Sequence, residues 1–185
     1  MDLQPPISQA KHSIIINLNA VKLEDIVQKK LLFFLNQKPL GQRILKTFYE
    51  PVEQALIEVI LQKNRGNQLK TAHALNINRN TLKKKILYYH LDIDKLLTKN
   101  ISSTFYLSEL FLSSISSLNL LTVSHAKLYL EMSYNKLPNN NILFKIGNPI
   151  KQTIIHTTLK HFNYNKIKTA YFLGLNRNTL KKNLN

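Results

Sequence analysis

The chain has 185 residues, 44% of them hydrophobic, and a formal net charge of +16. That apolar content can build the core of one ordinary domain or two small ones and excludes wholesale disorder. The charge points to a polyanionic partner, and the absence of Cys excludes disulfides, thiolate zinc sites and thiol catalysis.

Four Gly and six Pro are too few for a turn-rich all-β chain. The opening MDLQPPISQAKHSIIINLN lacks the charged start and long apolar run of a signal peptide. Within it HSIIINLNAV, His12–Val21, reads as a short strand or hairpin arm. VKLEDIVQKKLLFFL follows, apolar at Leu23, Ile26, Val27, Leu31 and Phe34, which is amphipathic helix spacing. PVEQALIEVILQK, Pro51–Lys63, predicts a second helix beginning at its proline, with Val52, Leu56, Val59 and Ile60 on its apolar face. NRGN ends it, with Gly66 as a left-handed cap.

NQLKTAHALNINRNTLKKKILYYHL then reads as two helices joined by a tight turn at NIN. Leu69, Ala72 and Leu75 would line one face of the first, and Leu82, Ile86 and Tyr89 one face of the second. Tyr88 and Tyr89 read as core rather than as base-stacking rings. The pattern loosens at DIDKLLTKNISS, Asp92–Ser103, which sets a boundary between units 1–95 and 96–185. Leu110–Ala126 carries no charge, but it is Ser-rich and shorter than the roughly 20 apolar residues of a spanning helix. LLTVSHAKLYLEMSY is a weaker counterpart of the first helix.

The second half repeats the first. Shifted by 98 positions, Asn67–Ile86 and Asn165–Leu184 share 12 of 20 residues, including Asn-Arg-Asn-Thr-Leu-Lys-Lys entire. Pro51 meets Pro149, Ile57 meets Ile155 and Leu61 meets Leu159, all without a gap. Asn76 stands where Gly174 stands in the other copy. Those two residue types tolerate positive φ, so a left-handed residue is expected between two helices. Ala72 and Ala170 are small enough for the helices to cross closely. This is the arithmetic of a helix-turn-helix.

GNQLKTAHALNINRNTLKKKILYYH resembles the C-terminal helix-turn-helix of the Fis (factor for inversion stimulation) family and of the related domain of NtrC-type activators. The resemblance covers most of the first copy and, in the second, Pro149–Asn185. It implies an all-α fold of four helices per unit, the first two pairing two protomers and the last two binding DNA. No P-loop is present, so the activator ATPase is not part of the reading. The duplication departs from the family, whose members are homodimers of single units. Two tandem units are therefore expected to pack as an intrachain pseudo-dimer in a monomer, with a homodimer as the alternative.

By chemistry, Arg79 can take a guanine edge bidentately, and Lys83, Lys84 and Lys85 suit phosphates. Asn78, Asn80 and Thr81 are short polar groups at a helix start, and one of them is expected to cap it. Asn67 is placed to offer its backbone N–H to a phosphate. The resemblance puts Asn67, Asn78, Arg79, Thr81, Lys83, Lys84 and Lys85 on DNA-contacting positions of the family. In the second copy it adds Asn165, Asn176, Arg177, Thr179, Lys181 and Lys182. Asn80 and Asn178 replace a family glycine, which changes the contacts available there.

The function expected is a non-enzymatic DNA-binding protein, a transcriptional regulator or nucleoid-associated DNA-bending protein of the bacterial cytoplasm. Double-stranded DNA is the partner, without cofactor, metal, small-molecule substrate or membrane. His156 and His161 lie on different helix faces and make no metal set, and the Ser-rich SSISS tract has no catalytic partners. The rival is a protein-interaction module in which one or both motifs no longer bind DNA. Acidic residues in the recognition turn would favour that rival, and neither copy has any.

Overall fold

The computed structural model describes residues 22–37, 43–98, 122–132 and 137–184, and every regular element among them is helical. The expected N-terminal arm and the SSISS tract lie outside the described residues.

Helix α1, Leu23–Asn36, buries Leu23, Ile26, Val27, Leu31 and Leu35 along one face. Phe34 packs edge-on to Phe48 with ring centroids 5.6 Å apart. Helix α2, Ile44–Lys63, starts seven residues before the expected Pro51 and carries that proline inside it. An interior proline costs about 3 kcal/mol. The extension also buries Ile44 and Phe48 completely, which is worth roughly 1.5–3 kcal/mol each. Burial outweighs the lost ladder bond. In the second copy Pro149 lies in the first turn of the corresponding helix, Asn148–His161, directly after a π-helical turn, Leu143–Gly147.

Helices α3, Gln68–Leu75, and α4, Arg79–Tyr88, form the first helix-turn-helix. The hinge residue Asn76 has φ 56° and ψ 48°, the expected left-handed conformation. Helix α5, Ile93–Thr98, occupies the stretch read as a boundary, so position 95/96 falls inside a helix. It packs back on α2: the Gln62 side-chain amide donates to the Leu96 carbonyl at 2.8 Å. Helix α6, Val123–Met132, is the counterpart of α1. Helix α7 is Asn148–His161, and α8, Lys166–Leu173, with α9, Arg177–Leu184, forms the second helix-turn-helix. Gly174 matches Asn76, with φ 70° and ψ 32°.

Leu69, expected on the inward face of α3, is not in the core. Leu69 and its counterpart Ile167 are exposed, at 65% and 58%. The inward face of α3 is Thr71, Ala72 and Leu75, and that of α8 is Thr169, Ala170 and Leu173. At about 100° per residue, position 69 points roughly 110° away from that direction. Thr71 is held inside by a hydrogen bond from the Asn64 side-chain amide at 3.3 Å. Thr169 donates to the Asn165 carbonyl at 2.8 Å. Ala72 and Ala170 are both 97% buried, as a close crossing requires.

The two units exchange their leading helices. Helix α1 lies on α7, α6 lies on α2, and α2 and α7 touch each other, giving the expected pseudo-twofold bundle within one chain. Glu58 of α2 accepts from Lys127 of α6 at 3.1 Å across the exchange. Tyr49 and its repeat counterpart Gly147 meet: a Cβ added to Gly147 would stand 2.8 Å from the Tyr49 hydroxyl. The second unit has the more polar core, with Thr157 and Thr158 buried where the first unit has Val59 and Ile60. Thr158 satisfies its hydroxyl on the Ile154 carbonyl at 2.7 Å.

His125 of α6 is half-buried, and its Nδ1 is buried without a hydrogen-bond partner. Desolvation holds its pKa below the usual histidine value, and the neighbouring charge of Lys30 adds to this. The folded chain therefore binds this proton less readily than the unfolded chain. As pH falls through about 6.5, the unfolded state takes up a proton that the folded state resists, and stability drops. Urea midpoints at pH 7.5 and 5.5 should fall further for the wild type than for His125→Leu. An equal fall in both would assign the acid sensitivity elsewhere.

Candidate nucleic-acid interface

Each recognition helix begins with an asparagine that caps it. Asn78 Oδ1 accepts from the Asn80 N–H at 2.8 Å. Asn176 Oδ1 accepts from Asn178 at 2.7 Å and from Thr179 at 3.3 Å. The preceding helices are capped in the same way, Asn67 Oδ1 accepting from Lys70 and Asn165 Oδ1 from Lys168, both at 3.0 Å. These caps satisfy donors that a helix start otherwise leaves open.

The caps correct one expectation. The Asn67 N–H donates to the Asn64 carbonyl at 3.0 Å, and the Asn165 N–H donates to Phe162 at 3.0 Å. Neither backbone group is free for a phosphate. The first-turn donors left for that role at α3 belong to Gln68 and Leu69.

The structure places Asn78, Arg79, Asn80, Thr81, Lys83 and Lys84 together on the exposed first two turns of α4. Asn176, Arg177, Asn178, Thr179, Lys181 and Lys182 stand likewise on α9. Each helix is anchored by one fully inward leucine, Leu82 or Leu180. The polar face is presented outward by this inward leucine, by the partly buried Ile86 in α4 and Leu184 in α9, and by the left-handed hinge before each helix.

Lys85 departs from the group. Its Nζ lies 2.6 Å from Glu53 Oε2, and the side chain is only 27% exposed. Tyr89 donates to the same carboxylate oxygen at 2.6 Å. Burial first, and then Glu53, pushes the Tyr89 phenol well above its usual value, so it stays a donor. Tyr88 is not core: it is 52% exposed, with its hydroxyl donating to Glu50 at 2.9 Å. Glu53 thus ties the far end of α4 to α2. Sequence reasoning missed it because its partners lie 32 and 36 positions away. In the second copy Lys151 stands at the Glu53 position, and Asn183, at the Lys85 position, donates instead to the Thr179 carbonyl at 2.7 Å.

Two exposed, basic helix-turn-helix motifs on one pseudo-twofold helical core define a helix-turn-helix protein with a duplicated motif. The family model for bacterial regulatory proteins of the Fis family matches residues 48–89 and 151–185, once in each unit. A DNA-binding protein Fis of Aliivibrio fischeri (strain MJ11) is 39% identical over 74 residues, 38% of this chain and 74% of that protein. A DNA-binding protein Fis of Buchnera aphidicola subsp. Acyrthosiphon pisum (strain 5A) is 36% identical over 72 residues, 37% of this chain and 71% of that protein. The chain belongs to the Fis family. No solved structure matches it.

Proposed function

We propose that the chain is a non-enzymatic DNA-binding regulator that uses both helix-turn-helix motifs on one duplex, as a transcriptional regulator or a nucleoid-associated DNA-bending protein. One observation carries the reading. The turn Asn-Arg-Asn-Thr-Leu-Lys-Lys is identical in two copies that have diverged around it; apart from its leucine it is exposed, and it is free of acid in both. Helix capping accounts for Asn78 and Asn176, but a solvated basic face has no reason to keep the Arg and the second Asn in register. A reading head does. The naming of the relatives as DNA-binding proteins supports the same reading.

Arg79 and Arg177 read base edges, and Lys83, Lys84, Lys181 and Lys182 hold phosphates. Asn80, Thr81, Asn178 and Thr179 stand at the groove edge. Asn67, Asn78, Asn165 and Asn176 act by capping the helices that approach the backbone. Lys85 serves through Glu53 as a brace for α4 rather than as a phosphate contact. The first unit, which ends with α5, and the second unit act as the two halves of a monomer, so that docking of the second motif is intramolecular.

Binding should weaken steeply with salt. For six phosphate contacts the slope of log affinity against log salt is about −5. Fluorescence anisotropy on a random-sequence duplex across a salt series measures it. A flat profile, or no duplex binding at low salt, would overturn the reading and favour a protein-interaction module.

A further inference from the structure

The hinge of the second motif has no room for a side chain, although its counterpart in the first motif carries one. Both hinges are left-handed and close in the same way. The Asn76 N–H donates to the His73 carbonyl and the Ile77 N–H to Ala72, and the Gly174 N–H donates to Tyr171 and the Leu175 N–H to Ala170. Asn76 shows that this turn tolerates a side chain. At Gly174 the obstacle is a neighbour. A Cβ built there would stand 2.9 Å from Arg43 Cγ, 3.0 Å from Arg43 Cα and 3.3 Å from Arg43 Cβ. Contacts that close force atoms aside. The fit requires the glycine, and the turn does not.

Arg43 belongs to the other unit. It directly precedes α2, and α8 packs on α2 across the pseudo-twofold. An equally close seat cannot form on the other side, where the repeat has Asn141 at the Arg43 position and a side chain at Asn76. The first motif is held to the same helix by a different contact. Glu53 of α2 accepts from Lys85 and Tyr89 at the far end of α4, both at 2.6 Å. In the second unit Lys151 replaces that carboxylate. Both motifs are thus attached to α2, one at Arg43 and the other at Glu53, which lie about 15 Å apart along the helix axis. The helix runs unbroken from Ile44 to Lys63, through Pro51, so the two attachments move as one body.

We infer that α2 is the ruler of the protein: by seating the second hinge on Arg43 and bracing α4 on Glu53, it fixes the half-site spacing that the two motifs accept on a duplex. The inference rests on the two-motif reading proposed above. Arg43 and Glu53 are positioning residues that act through the motifs they hold. Half-sites read by paired recognition helices lie about one helical turn, roughly 10 base pairs, apart. One extra base pair moves the second groove by about 3.4 Å and turns it by about 34°. A closed seat cannot follow that move, and a motif released from the seat can.

The test is selection by the full chain from a duplex pool with about 30 randomised base pairs, enough for two half-sites one turn apart. The wild type should enrich paired half-sites at one spacing. Gly174→Asn introduces the side chain that the first hinge already carries, and it should spread the pairs over about three adjacent spacings. The half-site sequence should stay the same, because the recognition turn is untouched. Competition between the best spacing and one base pair more should show a preference of roughly tenfold in the wild type and about threefold or less in the variant. Arg43→Gly removes the Cβ and Cγ of the seat and should broaden the spacings too; it decides the question if circular dichroism shows Gly174→Asn to be unfolded. The double change moves the side chain to the other side of the seat and should narrow the spacings again. A single spacing kept by the folded variants would overturn the inference and leave the two-motif reading intact. Loss of the second half-site without any spread would also overturn it, since the contact would then only stabilise the motif. Enrichment of lone half-sites by the wild type would remove the two-motif reading, and this inference with it.

Discussion

Replacing Arg79 and Arg177 together by Ala should abolish site-specific binding and leave non-specific duplex binding in place. A bidentate arginine–guanine contact discriminates by about 1–3 kcal/mol. Two such losses total roughly 2–6 kcal/mol, against a gap of about 4–10 kcal/mol between specific and non-specific complexes. The lysines remain, and they supply the sequence-independent part. Lys84→Ala should show the opposite pattern, weakening matched and scrambled duplexes alike. The single changes should differ. The far end of α4 is braced by the Lys85–Glu53 contact at 2.6 Å and the Tyr89–Glu53 bond at 2.6 Å. In α9, Asn183, the counterpart of Lys85, turns back to its own helix, and Lys151 stands where α2 has Glu53. A braced helix loses less entropy on docking. Arg79→Ala should therefore cost more affinity than Arg177→Ala, and competition titrations with matched and scrambled duplexes measure both. If the double change lowers affinity equally on both duplexes, the arginines only hold phosphate.

The helix-turn-helix pairs were legible because their signals are local. Asn76 and Gly174 share a repeat position and a left-handed conformation, and the two copies check each other. The same comparison could have found Thr71 and Thr169, identical and buried, where apolar spacing chose Leu69. The start of α2 was not legible, because burial of Ile44 and Phe48 overrides a proline whose local preference is for a first turn. Nor was the fate of Lys85, since nothing near it in sequence marks Glu53 as its partner. A run of three lysines looks uniform until the tertiary fold turns one of them inward. The contact between Tyr49 and Gly147 was also out of reach: in the repeat it reads as a mismatch, and only the exchanged packing makes it a pair.

That pair leads to the second large effect. Tyr49 and Gly147 are counterparts across the pseudo-twofold, and they touch, so the interface there holds one ring and leaves no room for two. Gly147→Tyr in the full chain should destabilise it by about 1–3 kcal/mol or more, as overpacking of a closed site does. Tyr49→Gly placed in the same chain should recover part of the loss, since the ring then comes from the other side, and a double-mutant cycle in urea reports the coupling. The same asymmetry bears on how the halves recognise each other. Because α1 packs on α7 and α6 on α2, each half leaves a large apolar face open without the other. Expressed apart, residues 1–98 and 99–185 should be poorly folded, and mixing them should restore a one-to-one complex with native helicity. Two copies of the first half would bring two Tyr49 rings to a place shaped for one. At about 1–3 kcal/mol, that favours the mixed pair over the like pair by roughly 5-fold to 150-fold. Native mass spectrometry of the mixture counts the species directly. An excess of the like pair of first halves, or full stability in Gly147→Tyr, would show that this contact does not select the partner. If the contact does select, the full chain should run as a monomer, its two helix-turn-helix motifs set by one intramolecular fit.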